Sequence, residues 1–188
     1  MADIFTYGTD IDVYVDKAVE KLKETYPWAT RENLRRNYTY AIEESNGRNV
    51  FVSYFKWSSG ETDREDLDCD GDKFIEKIVN DHRFWIESSN KVAKVYRIPL
   101  PGGTKISGWN LEEYCFKAHE QGGYSATVTA GNREAGGSRD FFIPASFLKG
   151  TFEDFVKKYN DAAPWFFMLD DRLLKNATGL KEFLGFEK

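Results

Sequence analysis

Apolar residues recur at helical spacing near the start of the chain, which predicts two helices before residue 48. The first helix covers residues 10–26 and ends at Pro27, because proline cannot continue a helix. Its apolar face contains Ile11, Val15, Ala18 and Leu22. Thr30 caps a second predicted helix, and Gly47 follows its end. The apolar face of that helix contains Leu34, Tyr38, Ala41 and Ile42. We therefore predict an N-terminal helical pair within residues 1–47.

The pattern changes to a period of two over residues 49–57, where both faces are apolar, and this predicts an interior strand. A short helix follows from Asp72, with Phe74, Ile75, Ile78 and Val79 on its apolar face. Residues 84–87 and 91–98 are predicted to be strands, and the second of these ends before a Pro-Gly-Gly turn.

Helices and strands continue to alternate in the second half. Leu111, Tyr114, Cys115 and Ala118 predict a helix that ends at a pair of glycines, Gly122 and Gly123. Residues 124–129 and 139–143 form a predicted hairpin, and Thr151 with Asp154 predicts a capping box at the start of the next helix. A short helix surrounds residues 180–184. The expected fold is α+β, a single domain over 1–188, in which an N-terminal helical segment over 1–47 packs on a body over 48–188. That body has a mainly antiparallel sheet with flanking helices.

Length and composition favour an ordinary globular chain. The 188 residues include 41% hydrophobic and 30% charged residues, enough to bury a core without a metal or disulfide. Two cysteines fit a reducing compartment, and Met1–Phe5 has neither the basic nor the apolar region of a signal peptide. With no long apolar run, we expect a cytoplasmic protein without a membrane partner.

Negative charge is concentrated in residues 61–72, ETDREDLDCDGD, which contain seven acids and one arginine. The local charge is −6, so the rest of the chain, at +1, is nearly neutral and lacks the basic surface of a nucleic-acid-binding protein. Direct nucleic-acid binding is therefore not expected. The segment attracts cations or a basic protein surface, and the alternative interpretation is a solvated, mobile loop.

The same segment contains a partial calcium motif. Asp66, Asp68, Asp70 and Gly71 match positions one, three, five and six of an EF-hand loop, but Lys77 stands where its bidentate glutamate belongs. A looser calcium or magnesium site formed by Asp66, Asp68, Asp70 and Asp72 remains an alternative. No other cofactor is expected.

Cys115 and His119 lie one turn apart on the predicted helix, a spacing that would allow a nucleophile and its base. A structural role is the preferred interpretation, because Cys115 falls on the apolar stripe. His82 is predicted to end its helix, where a cation favours the dipole.

A glycine-rich segment and several aromatic residues outside the periodic pattern are candidate contact surfaces. The segment 131–139 contains Arg133 and Arg139 between two predicted strands, without the spacing of a phosphate-binding loop. The aromatic residues outside the pattern are Tyr40, Trp57, Trp109, Trp165, Phe166 and Phe167.

These features together favour a non-enzymatic protein-binding inhibitor or adaptor that places its acidic segment against a basic protein surface. The predicted partner-binding residues are Glu61, Asp63, Glu65, Asp66, Asp68, Asp70, Arg133, Arg139, Trp165 and Phe166. In size, aromatic content and acidity the chain resembles inhibitors of phages and mobile elements, of the anti-CRISPR and anti-restriction type. Two alternatives are a metal-dependent enzyme using the Asp66–Asp72 cluster and a structural or oligomeric subunit using Trp165–Leu169. The sequence identifies no catalytic residue and no oligomeric state.

Overall fold

A computed structural model describes residues 10–106, 108–132 and 134–187. Contacts divide them into two compact units, residues 10–23 with 28–89 and residues 24–27 with 90–187. Helices and antiparallel sheets occur together, so the predicted α+β class is confirmed. The single domain that we predict from the sequence stays a prediction.

In the first unit, one helix is followed by three strands and then by a second helix. Its elements are α1 (Ile11–Thr25), β1 (Tyr38–Ser45), β2 (Arg48–Lys56), β3 (Thr62–Leu67) and α2 (Gly71–Ser89). The strands form an antiparallel sheet in the order β1–β2–β3. Helix α1 lies where its apolar spacing predicts, and its buried residues are Tyr14, Ala18, Val19 and Leu22.

Strand β1 occupies the place of the predicted second helix, so that prediction was wrong. A 3₁₀ turn at Arg31–Asn33 is the helical structure that remains there. Asn46 and Gly47 both have positive φ, 53° and 74°, and together they form the two-residue turn between β1 and β2. Gly47 therefore belongs to a hairpin and not to a helix end.

The predicted interior strand is confirmed as β2, which lies between β1 and β3. Its Phe51 is buried and stacks on Phe74 of α2 with ring centroids 4.2 Å apart. Tyr14 of α1 meets the edge of Phe51 at 5.0 Å. These three rings join both helices to one face of the sheet.

Helix α2 is longer than predicted and includes residues 84–87, which are not a strand. The buried residues Phe74, Ile78, Val79, His82 and Ile86 lie on one helical face, so His82 is central and does not end the helix. Asp70, and not Asp72, caps α2, because its Oδ1 accepts the Lys73 N–H at 2.9 Å.

The second unit contains a five-stranded antiparallel sheet. Its strands are β4 (Val92–Arg97), β5 (Lys105–Ile106), β6 (Trp109–His119), β7 (Tyr124–Gly131) and β8 (Gly136–Ile143). The order is β4–β6–β7–β8, and β5 also pairs with β6. The predicted strands at 91–98, 124–129 and 139–143 are confirmed, whereas the helix expected at Leu111–Ala118 is strand β6. Gly122 and Gly123, with φ of 92° and 85°, lie in the connection from β6 to β7.

Helices α3 (Phe152–Ala162), α4 (Asp171–Asn176) and α5 (Leu180–Phe183) follow the sheet. The predicted capping box is present, because Thr151 Oγ1 accepts the Asp154 N–H at 3.1 Å and Asp154 Oδ2 accepts the Thr151 N–H at 3.0 Å. The core between sheet and helices includes Tyr114, Phe116, Phe155, Tyr159, Phe167, Leu173 and Leu180. Within the described ranges, no helix is both long enough and apolar enough to cross a bilayer.

Candidate functional site

The acidic segment forms strand β3 for half of its length, at the edge of the first unit's sheet. Its backbone pairs with β2, so the interpretation as a mobile loop was wrong for residues 62–67. Alternation along the strand places Asp63 and Glu65 on one face and Arg64 and Asp66 on the other. Residues 62–66 are all exposed, so the edge presents acidic side chains on both faces.

Some of these carboxylates have cationic neighbours and others do not. Glu65 lies 3.4 Å from the Lys77 ammonium, and Asp66 pairs with Arg64. Asp63 accepts a hydrogen bond of 2.6 Å from the Trp57 indole N–H.

The remaining four acids, Glu61, Asp68, Asp70 and Asp72, form no ion pair with any described residue. The negative charge of residues 61–72 is thus only partly compensated, and this surface has a negative electrostatic potential.

The four aspartates of the partial calcium motif do not belong to one structural element. Asp66 belongs to β3, Asp70 caps α2, and Asp72 lies in the first turn of that helix. No group of three or more His, Cys, Asp or Glu side chains is placed to hold a metal ion in the portion of the chain that the structure describes. Asp66, Asp68, Asp70 and Asp72 therefore do not converge on one point.

A cavity of about 340 Å³ lies in the second unit, and its walls are mostly apolar. Strands β5–β8, Ala135 just before β8 and the 3₁₀ turn Trp165–Phe167 supply the lining residues. They are Ile106, Trp109, Leu111, Val128, Ala130, Ala135, Gly136, Gly137, Arg139, Trp165 and Phe166. The cavity brings together Arg139, Trp165 and Phe166, three residues predicted to bind a partner. Arg133, which is also predicted to bind a partner, lies outside the described residues.

Arg139 is the charged residue of the described lining of this cavity. It stands opposite Val128 in the β7–β8 register, and Gly137 stands opposite Ala130, so both belong to the cavity face of β8. Arg139 is exposed, and no carboxylate among the described residues forms an ion pair with it. We refer to this feature as the Arg139 cavity.

Buried hydrogen bonds hold the aromatic wall in place. The Tyr114 hydroxyl donates to the Phe167 carbonyl and accepts from the Tyr159 hydroxyl, with the two oxygens 2.9 Å apart. Burial raises the pKa of both phenols, so both stay protonated. Asn160 fixes the chain after the turn, because its side chain accepts the Leu169 N–H at 2.8 Å and donates to the Leu169 carbonyl at 3.1 Å. The Trp165–Phe167 turn is therefore anchored from both sides.

A second polar network, which sequence reasoning missed, lies around His82. The Arg35 N–H donates to His82 Nδ1 at 3.0 Å, so the proton of the neutral ring is on Nε2 and points to the Tyr40 hydroxyl at 3.0 Å. Tyr40 in turn donates to Asp81 Oδ2 at 3.0 Å, and Lys77 pairs with Asp81 at 2.7 Å. Burial, together with the charges of Arg35 and Lys77, lowers the pKa of His82 to about 4. His82 is 1% exposed, so this network supports the fold and offers no accessible base.

Cys115 and His119 do not form a reactive pair. On strand β6 four residues span about 13 Å, whereas a helix would have placed them one turn apart. Cys115 is buried, and burial raises the pKa of its thiol. The His119 Nδ1–H donates to the Asn90 carbonyl at 3.0 Å, and Nε2 accepts from the Ser125 hydroxyl at 2.8 Å. Both ring nitrogens of His119 are thus engaged.

Two exposed surfaces of the described residues are therefore candidates for function, the acidic strand β3 and the Arg139 cavity. No family model matches the chain, and neither the curated proteins nor the solved structures provide a match. The strand offers charge to a partner of opposite sign, and the cavity offers apolar area beside the Arg139 guanidinium. Both arrangements are typical of binding.

Proposed function

We propose that this chain is a non-enzymatic inhibitor or adaptor that binds a partner protein through the acidic strand β3 and the residues that flank it. The partner presents a basic surface, of the kind that otherwise holds nucleic acid. The exposed acidic edge of the sheet is the observation on which the proposal rests.

Electrostatic attraction is the main physical consequence of this surface. Charges on a protein surface act over about 8 Å at physiological ionic strength, so they guide a partner before contact. Such steering raises the association rate more than it lowers the dissociation rate. The acids of this segment that form no ion pair with a described residue are Glu61, Asp63, Asp68, Asp70 and Asp72, and their charges are not compensated locally.

The acidic side chains also determine how a partner can bind. Charged residues on an edge strand oppose pairing with another strand, because extension of the sheet would bury them. Asp63, Arg64, Glu65 and Asp66 occupy four successive positions of β3. Contact is therefore expected through side chains and not through added backbone pairing.

The structure indicates which acids to replace in a test. Asp66 pairs with Arg64 and Asp70 caps α2, so changing either would also remove a local contact within the first unit. The double variant Glu61→Gln with Asp68→Asn removes two charges from the acidic surface without those effects. A control with the same net charge is Glu44→Gln with Asp161→Asn, two exposed acids outside the segment.

Association with immobilised poly-L-lysine is the measurement. We expect the acidic-surface variant to associate more slowly than the wild type and the control to remain close to it. Raising salt from about 50 to about 500 mM shortens the Debye length from about 14 to about 4 Å and should slow wild-type association about tenfold. Equal slowing in both variants would show that binding follows net charge alone, and the proposal would then fail.

A further inference from the structure

We propose that the Arg139 cavity binds the carboxyl terminus of a peptide whose last side chain is bulky and apolar. This site is separate from the acidic strand and does not depend on the function proposed above. Its volume, about 340 Å³, lies at the lower end of the range of about 300–1,000 Å³ typical of ligand pockets. A space of that size suits one large side chain better than an extended cofactor.

The positive charge of the cavity favours an anionic ligand. Arg139 is the charged member of the described lining, and the other lining residues are apolar or aromatic side chains and glycines. The Arg139 guanidinium has no acidic partner among the described residues, and its planar geometry matches a carboxylate, to which it can donate two parallel hydrogen bonds. The preferred ligand therefore combines an apolar group and a carboxylate within a short distance, as the last residue of a peptide does.

The edge of the sheet favours a peptide over a free small acid. The strand order ends at β8, and no hydrogen bond joins the outer side of residues 136–141 to another segment in the described ranges of the chain. An extended peptide can pair with such an edge and point alternate side chains toward one face. Gly136 and Gly137 present no side chain there, and a Cβ built on Gly137 has no atom within 4 Å. A second strand can therefore approach β8 at this point.

The wall formed by the Trp165–Phe167 turn is fixed before any ligand arrives. Trp165 is 55% exposed, yet its turn is held by the bonds from Tyr114 to Phe167 and from Asn160 to Leu169. A preorganised wall lowers the entropy lost on binding. The exposed indole provides apolar area for an incoming side chain.

The probe is an acetylated Ala-Ala-Phe tripeptide with a free carboxylate, compared with the same peptide as its C-terminal amide. Binding to the full chain is followed by NMR of the backbone amides of residues 136–141 and the indole N–H groups of Trp109 and Trp165. We expect the acid to shift these signals and the amide to bind at least about tenfold more weakly, because it cannot form the charged bond to Arg139.

Two variants locate the site. Arg139→Gln should weaken binding of the acid about tenfold and leave the amide unchanged. Gly137→Leu should fill the cavity and abolish binding of both peptides, and the free space around its Cβ allows the chain to fold. Arg83→Gln, a change to another exposed arginine, on α2, is the control and should bind like the wild type.

Three results would overturn the proposal. The first is that neither peptide shifts the signals, and the second is that acid and amide bind equally. The third is that acetylphenylalanine alone binds as tightly as the tripeptide without shifting residues 136–141, which would identify a site for small aromatic acids instead.

Discussion

Acidification should destabilise the first unit through His82. The folded state holds the pKa of this ring at about 4, whereas the unfolded chain restores its ordinary value of 6.5. A depressed histidine pKa means that the unfolded state takes up the proton first, so stability is complete above about pH 6.5 and falls as the pH decreases toward 4. The full difference corresponds to about 3 kcal/mol, of which about 2 kcal/mol is lost at pH 5.

The assay compares the wild type with His82→Gln, which cannot titrate in this range. Urea unfolding at pH 7 and pH 5 gives the overall free energies, and amide exchange in α2 reports on the first unit by itself. Carboxylates titrate in both proteins, so the difference between the two pH dependences isolates the histidine. The wild type should lose about 2 kcal/mol more than the variant between pH 7 and pH 5. Equal losses in the two proteins would refute the assignment of His82 as a neutral hydrogen-bond acceptor.

Two further predictions concern the second unit. Tyr114→Phe should destabilise it by about 2–4 kcal/mol, because the Phe167 carbonyl and the Tyr159 hydroxyl both lose a buried partner, whereas Tyr159→Phe should cost about 0.5–1.5 kcal/mol. Thermal unfolding of the two variants checks this order, and a larger effect for Tyr159→Phe would contradict the direction of the hydrogen bonds. In a Cys69→Ser background, Cys115 should react with a thiol reagent far more slowly in the native protein than in urea, because it is buried and its thiol pKa is raised. Rapid alkylation of the native protein would restore the hypothesis of a reactive thiol.

Two regions predicted to be helices are strands, and each error has its own physical cause. Tyr38, Ala41 and Ile42 fit helical spacing, yet they form a strand because Asn46-Gly47 makes a tight hairpin turn. An Asn-Gly dipeptide between two segments of alternating apolar and polar residues is a hairpin signal, and it could have identified β1. Over residues 111–118 the apolar residues also fit a helix, because β6 buries side chains on both faces and so loses the simple alternation of a half-exposed strand.

The sequence predicts which types of residue form the candidate sites, but not where these residues lie in the fold. The acidity of residues 61–72 is evident from the sequence, whereas its division into an edge strand and a helix cap depends on pairing with β2. Arg139 and Trp165 each stand out in the sequence, but their meeting at one cavity is a tertiary result that no periodic pattern encodes. The local sequence favours a helix end at His82, because Phe84, Trp85 and Ile86 resemble the start of a strand. The long apolar face of α2 overrides that local preference.

The sequential order of the strands also affects how quickly each sheet can assemble. In the first unit β1 pairs with β2 and β2 with β3, so each pairing closes a short loop. In the second unit β4 pairs with β6, and β5 and its turn lie between these two strands in the sequence. Their pairing therefore closes a longer loop. Short loops cost little entropy to close, and chains rich in local contacts fold faster. We therefore expect the hairpin at Asn46-Gly47 to form early, and the joining of β4 to β6 to be the slower step in the unit that contains the Arg139 cavity.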